Sequence, residues 1–181
     1  MTVEVSTILP ASPDRVWTMV NRPALLHYVA WPLLTFEAVD PPAFPNRWEE
    51  RQYRVRIKAF GLVPLGWQII EIERSVDPET ATHGEPVRRL RDDGRGAILR
   101  RWDHWITVEP AAAESTDSGR GEGRATRYTD RVDVDAGVLT PLAGGLARVF
   151  YAHRQRRWHR LLAEDDGGEE ESALDASASS L

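Results

Sequence analysis

The chain has 181 residues, 23 of them basic and 28 acidic, so its formal net charge is −5 with neutral histidines. That length suits one domain with its own core, and a hydrophobic fraction of 41% argues against wholesale disorder. No apolar run approaches the roughly 20 residues of a membrane-crossing helix, and the absence of Cys excludes disulfides, thiolate metal sites and a Cys nucleophile. The opening Met1-Thr-Val-Glu-Val-Ser-Thr-Ile-Leu-Pro10 lacks the basic and apolar regions of a secretion signal. A cytoplasmic protein is the expectation.

The charge is unevenly spread. Residues 164–181 hold seven acids and no base, which leaves 23 bases against 21 acids, or +2, for the rest. Ser, Ala and Gly fill that terminal stretch, a composition that buries too little apolar surface to order itself. A folded domain over 1–163 and a disordered acidic tail over 164–181 are therefore expected. Arg148, Arg154, Arg156, Arg157 and Arg160 crowd the segment just before the tail, with His153 and His159.

Residues 2–9 alternate as a strand does, with Val3, Val5, Thr7 and Leu9 on one face. Ser12-Pro13-Asp14 then supplies an N-cap, a proline for the first turn and an early acid. A helix to about Val20 follows, burying Val16, Trp17 and Val20. Asn21-Arg22-Pro23 repeats the cap-and-proline signal for a second short helix carrying Leu25, Leu26 and Tyr28. From Leu33 onward the pattern is strand. Leu34, Phe36 and Ala38 alternate until Asp40-Pro41-Pro42, and a long strand covers 48–60 with Tyr53, Val55 and Ile57 on one side. Residues 61–66 predict a turn, 67–74 a strand and 77–86 a polar loop. Strands over 87–91 and 97–109 flank Asp92-Asp93-Gly94-Arg95-Gly96, which has the chemistry of a hairpin turn. Residues 111–125 are low in complexity and predict a mobile loop, and 126–136 is the last strand. A helix from about 140 to 163 follows, with Leu142, Leu146, Val149, Phe150, His153, Arg157 and Leu161 as its inward stripe. Trp158 falls off that stripe, toward an edge or the surface. Gly144-Gly145 costs about 1 kcal/mol per glycine in a helix and marks a close approach or a kink.

Three pieces of this order carry a resemblance: the opening Ile8-Leu9-Pro10-Ala11-Ser12-Pro13-Asp14-Arg15-Val16-Trp17, the Asp92-Asp93-Gly94 segment, and the terminal amphipathic helix. Over roughly residues 2–163 the chain resembles the START-like or Bet v 1-like (SRPBCC) superfamily, grouped with polyketide cyclases and lipid-transfer proteins. The resemblance implies an α+β helix-grip fold: a curved antiparallel sheet of about seven strands wrapped around the C-terminal helix, with an apolar cavity between them. It also implies binding of a lipid, polyketide or similar hydrophobic molecule. The superfamily has no universal catalytic motif, so no catalytic residue is carried over.

Strand alternation nominates the polar groups facing such a cavity. In the last strand Tyr128, Asp130, Val132, Val134 and Ala136 share a face, which puts a carboxylate on the apolar side. A buried carboxylate requires a partner, and Arg157 and His153 on the helix stripe are the candidates. A structural ion pair tying helix to sheet explains the same residues. In the preceding strand Trp102 and His104 share a face with Ile106 and Val108, and an inward His suits general acid–base work or a satisfied place in the core. Trp102, His104, Tyr128, Asp130, His153 and Arg157 are thus the expected ligand-orienting set. Seven Trp suit an aromatic-walled pocket or a filled core equally. An alternative is a cyclase or dehydratase with His104 or Asp130 as base and Arg157 stabilising an enolate; a further one is a protein-interaction module. No metal-ligand spacing, phosphate loop or dinucleotide fingerprint occurs, so no metal, cofactor or nucleic acid is expected. Weak contact with anionic membranes through the basic helix end completes the partner expectations.

Overall fold

The computed structural model describes residues 1–82, 85–97, 99–111 and 125–178, with only the backbone described at 77–82, 85 and 166–178. The loop expected over 111–125 therefore lies almost wholly outside the described residues. The elements run β1 (Thr2–Leu9), α1 (Pro13–Val20), α2 (Pro23–Ala30), β2 (Leu34–Asp40), β3 (Gln52–Ala59), β4 (Val63–Thr82), β5 (Glu85–Gly96), β6 (Arg101–Ala111), β7 (Ala125–Asp135) and, after a single 3-10 turn, α3 (Thr140–Ala178). The seven strands form one antiparallel sheet in the order β1-β7-β6-β5-β4-β3-β2. Each strand from β2 to β7 pairs with its sequence neighbour, and β1 closes against β7. Among the described residues no helix is long and apolar enough to cross a membrane.

Local chemistry explains where α1 begins. The Ser12 hydroxyl accepts from the Arg15 amide, Pro13 opens the helix and Asp14 sits in its positive first turn. Asn21, expected as the cap of α2, closes α1 instead. Its amide donates to the Trp17 carbonyl at 2.8 Å, and its Oδ1 accepts from Arg74 Nε at 2.7 Å. Pro23 opens α2 with no side-chain cap.

Two strands depart from the sequence reading. β4 begins at Val63 and continues to Thr82, and β5 begins at Glu85, so most of the expected turn and every described residue of the expected polar loop are strand. The Asp92-to-Gly96 segment is no turn: it runs straight within β5, with Asp92 opposite His104 and Gly94 opposite Trp102. Lateral partners override the local turn chemistry. Asp92 Oδ1 accepts the Glu71 amide, Asp93 lies 3.5 Å from Arg91, and Gly94 leaves room for Gln68. A Cβ at Gly94 would stand 2.9 Å from both the Gln68 amide nitrogen and the Trp102 carbonyl.

The main core joins α1 and α2 to the sheet through Leu9, Val16, Val29, Tyr53, Val55, Val108, Tyr128 and Trp158. A smaller cluster of Val3, Val132, Val134, Ala147 and Tyr151 lies under the first half of α3. Gly144 serves close approach, since a Cβ there would overlap the Met1 side chain. The inward face of α3 is rotated from the expected stripe. Ala147, Tyr151, Arg154, Gln155, Trp158 and Leu162 are buried, whereas Leu142, Leu146 and Val149 are each 63% exposed.

Candidate functional site

β6 and β7 turn alternate side chains toward α3, and their register sets the site. Ile106 lies opposite Asp130 and His104 opposite Val132, which brings the His104 and Asp130 side chains to neighbouring positions on the inner face. His104 Nε2 and Asp130 Oδ1 are 2.9 Å apart. Tyr128, two residues before Asp130 on the same face, donates its hydroxyl to that oxygen at 3.0 Å. From α3, Arg154 Nη2 donates to the Tyr128 hydroxyl at 3.0 Å and approaches Asp130 Oδ1 at 3.5 Å. All four side chains are buried.

The electrostatics follow from this geometry. Burial alone pushes the Asp130 carboxyl up, but Arg154, His104 and Tyr128 outweigh it and hold the group below the ordinary carboxylate range. Burial lowers His104 below its ordinary value despite the pull of Asp130. Arg154 stays charged: burial opposes its charge, and Asp130 with the two tyrosine oxygens more than offsets that. Burial raises Tyr128 and Tyr151 and keeps both protonated. An ionised carboxylate only accepts, so the neutral His104 ring carries its proton on Nε2 and leaves Nδ1 basic. Nearby, burial pushes Asp92 up to about 8 against the hydrogen bond from the Glu71 amide.

The cluster is not fully satisfied. Asp130 Oδ2 and Arg154 Nε are buried and find no hydrogen-bond partner among the described residues, while Trp158 Nε1 is turned to the Tyr128 hydroxyl without a bond of full geometry. Such groups are uncommon because each costs the desolvation it suffered. Aromatic rings surround them. Tyr151 packs 4.8 Å from the His104 ring and 6.2 Å from Trp102, and Trp158 lies 5.4 Å from Tyr128. Tyr53, Tyr128, Tyr151 and Trp158, each at most 1% exposed, occupy the space between sheet and helix.

Of the expected set, Trp102, His104, Tyr128 and Asp130 converge on this place. His153 and Arg157 do not. His153 Nε2 meets the Trp31 carbonyl at 2.9 Å, while Arg157 bonds the Tyr28 carbonyl at 3.3 Å and lies 4.1 Å over the Tyr28 ring. Both serve the α2–α3 contact, and the partner of Asp130 is Arg154. Trp158, expected at an edge or the surface, is fully buried. Tyr151, Arg154, Trp158 and Leu162 have the 3, 4 and 4 spacing of a helix face, a signal that the more apolar neighbouring stripe concealed.

No family model matches the sequence, nor does any curated protein at a significant level. Solved structures do match. A protein from Thermus thermophilus aligns over 91% of this chain and 99% of its own, with 18% identity and a TM-score of 0.52. A START superfamily protein from Mycobacterium smegmatis aligns over 90% of this chain and 97% of its own, at 12% identity and TM-score 0.53. Norcoclaurine synthase from Thalictrum flavum, solved with dopamine and hydroxybenzaldehyde, aligns over 91% of this chain and 87% of its own, at 12% identity and TM-score 0.53. At such identities the likeness concerns backbone architecture: the chain has the START/Bet v 1-like fold, a seven-stranded antiparallel sheet gripping a C-terminal helix.

Proposed function

We propose that the chain binds a small hydrophobic molecule, of lipid or polyketide type and bearing a hydroxyl or carbonyl group, between the sheet and α3. One observation carries the reading. An apolar interior holds His104, Tyr128, Asp130 and Arg154 as a connected set and, among the described residues, still leaves Asp130 Oδ2 and Arg154 Nε open. Apolar side chains of similar volume would stabilise a core at least as well as a buried ion pair, so stability alone does not account for the set. An unused donor and an unused acceptor in an aromatic wall are what orient a largely apolar guest. The fold is shared with a synthase solved around two small aromatic molecules. Because side chains fill the interior, entry requires a ring to move. Tyr151 stands between half-buried Trp102 and buried His104, and its displacement opens the polar set. In this reading Trp102 and Tyr128 wall the guest, and His104, Asp130 and Arg154 fix its polar end. His153 and Arg157 hold α2. Residues 1–163 form the binding domain and the acid-rich 164–181 segment an appendage, joined at its start by Glu164 to Tyr28 and Asp165 to Arg15.

A second reading, cyclase- or dehydratase-type catalysis at the same place, is favoured by the His104–Asp130 pair. A neutral imidazole whose Nε2–H is held by a carboxylate offers Nδ1 as a base, and Arg154 rather than Arg157 stands where enolate charge would be stabilised. Native mass spectrometry of freshly purified protein, followed by a thermal-shift screen of fatty acids, phenols and polyketides, tests binding. A retained molecule or a rise in Tm is expected, since any ligand of the native state must raise it. Neither a retained molecule nor any shift across the screen would remove the binding reading. Turnover of a bound compound that His104→Gln abolishes while binding persists would establish catalysis.

A further inference from the structure

The hairpin joining β3 to β4 is built unlike the rest of the sheet. From Ala59 to Ile70 the sequence has no charged residue. Phe60 is 60% exposed, Leu62 82% and Val63 55%. Leu65 and Trp67 are exposed as well, and Trp31 at the end of α2 is exposed beside the tip, with a ring atom 3.9 Å from where a Gly61 Cβ would stand. The tip projects past its neighbour: among the described residues the pairing of β4 with β5 ends at Gln68 opposite Gly96, so residues 62–65 have no ladder partner on β5. Phe60 has φ of 52°, the left-handed region that glycine takes readily and bulky residues avoid. Its amide is tied to the Leu33 carbonyl, and the Leu62 amide to Ala59. The chain thus holds an aromatic residue in an unfavourable backbone state while leaving its ring exposed to solvent.

Charge lies directly behind this apolar tip. A concavity of about 450 Å³ opens at its base, on the outer face of the sheet, with Trp67 and Pro64 beside Arg54, Arg56 and Lys58. Arg54 stacks 5.4 Å over the Trp67 ring, and Lys58 lies 3.4 Å from Glu37. Glu37 and Asp40, the acids of β2 that face these cations in register, leave one cation in excess. Basic groups behind an aromatic and aliphatic wedge match a bilayer surface, where rings sit at headgroup level and cations meet phosphates. The basic end of α3 is less suited, since Arg154 is buried and Arg157 covers Tyr28.

We propose that the β3–β4 tip is a membrane wedge: Phe60, Leu62 and Val63 enter the interface of an anionic phospholipid bilayer while Arg54, Arg56 and Lys58 meet its phosphates. This does not depend on what the interior binds. The test is flotation of the full chain with phosphatidylcholine vesicles with and without phosphatidylserine, at low and high salt. Partition that prefers phosphatidylserine and falls with salt is expected. Leu62→Asp should lower it at least about tenfold, the scale set by burying one large apolar side chain. Phe60→Gly should do the same without loss of Tm, because Gly adopts φ of 52° without strain. The double reversal Arg56→Glu with Lys58→Glu should erase the lipid preference, by roughly fivefold or more for each charge. Wild-type protein that stays off anionic vesicles at low salt, or a Leu62→Asp variant that binds as wild type does, overturns the proposal. So does self-association that Leu62→Asp abolishes in a chain that ignores vesicles, which would assign the tip to a second copy.

Discussion

Helix α3 makes opposite use of its two halves. From Tyr151 to Leu162 its inward face carries Tyr, Arg, Gln and Trp, and all of them are buried. From Thr140 to Val149 it carries Leu142, Leu146 and Val149 outward, and the sheet-facing positions are Ala143, Gly144 and Ala147. Hydrophobicity therefore does not decide which face is buried here. The second half lies along β7 and β1, where there is depth for large rings, where Asp130 demands a cation and where Gln155 reaches the Val5 carbonyl. The first half lies against the start of β1 and the end of β7, where Met1 covers Gly144 and only small side chains fit. Helix rotation is set jointly by the room each half finds and by the one charge that must be paired.

Substitutions at matched positions in the two halves put this contrast at risk. The largest effect is expected at Asp130: Asp130→Ala leaves Arg154 buried without its carboxylate, a loss of about 3–5 kcal/mol. For a chain of this size that lowers Tm by on the order of 10 °C, to be read by calorimetry. Trp158→Ala should cost about 3–5 kcal/mol by removing a buried ring, whereas Leu146→Ala, an apolar truncation three turns earlier, should stay within about 0.5 kcal/mol in urea titration. Equal losses at the two positions would contradict the assigned rotation of α3.

The titrating groups against the second half give it a pH signature. His104 in the folded state lies below its ordinary value of 6.5. The unfolded chain therefore takes up a proton first, and the stability present above about pH 6.5 is lost as pH falls toward the folded value. His104→Gln should flatten that limb of the Tm-against-pH curve, and Leu146→Ala should leave it unchanged. Asp92 has the opposite sign. Its folded value is raised to about 8 from 3.8, so its contribution is full below pH 3.8 and lost as pH rises through 8. Asp92→Asn should then raise neutral-pH stability by about 1 kcal/mol, held to that size by partial contact with solvent. The gain should vanish in acid. A gain of equal size at pH 3 would show that the carboxyl proton is not its source.

Much of this architecture is legible in the residues. Alternation exposes β1, β3, β6 and β7, and Ser12-Pro13 and Pro23 open the two short helices where expected. On β6 and β7 the same alternation identifies the inward His104, Tyr128 and Asp130, because a period of two admits one alternative and Val132 and Val134 exclude it. The departures have a common cause. Asp92-Asp93-Gly94 carries turn chemistry, yet the Glu71 amide and Arg91 satisfy its carboxylates within a straight strand. On α3 the apolar residues are densest along one stripe, and the true inward face instead includes Arg154 and Gln155. Those are buried only because Asp130 and the Val5 carbonyl, at 2.6 Å from the Gln155 amide, receive them. Partners distant in sequence settle such cases, and local pattern contains no record of them.

The pairing of β1 with β7 has a consequence for how the molecule comes into being. Thr2 lies opposite Asp133 and Leu9 opposite Thr126, so among the described strands β1 pairs with the one that follows it latest in the chain. At about 5–20 residues per second, that neighbour follows the first strand by roughly 6–25 s. Through that interval β1 waits for β7, and a pairing so distant in sequence is slow in its own right. Shielding of the apolar side of β1 until β7 has been made is thus a built-in requirement of this topology.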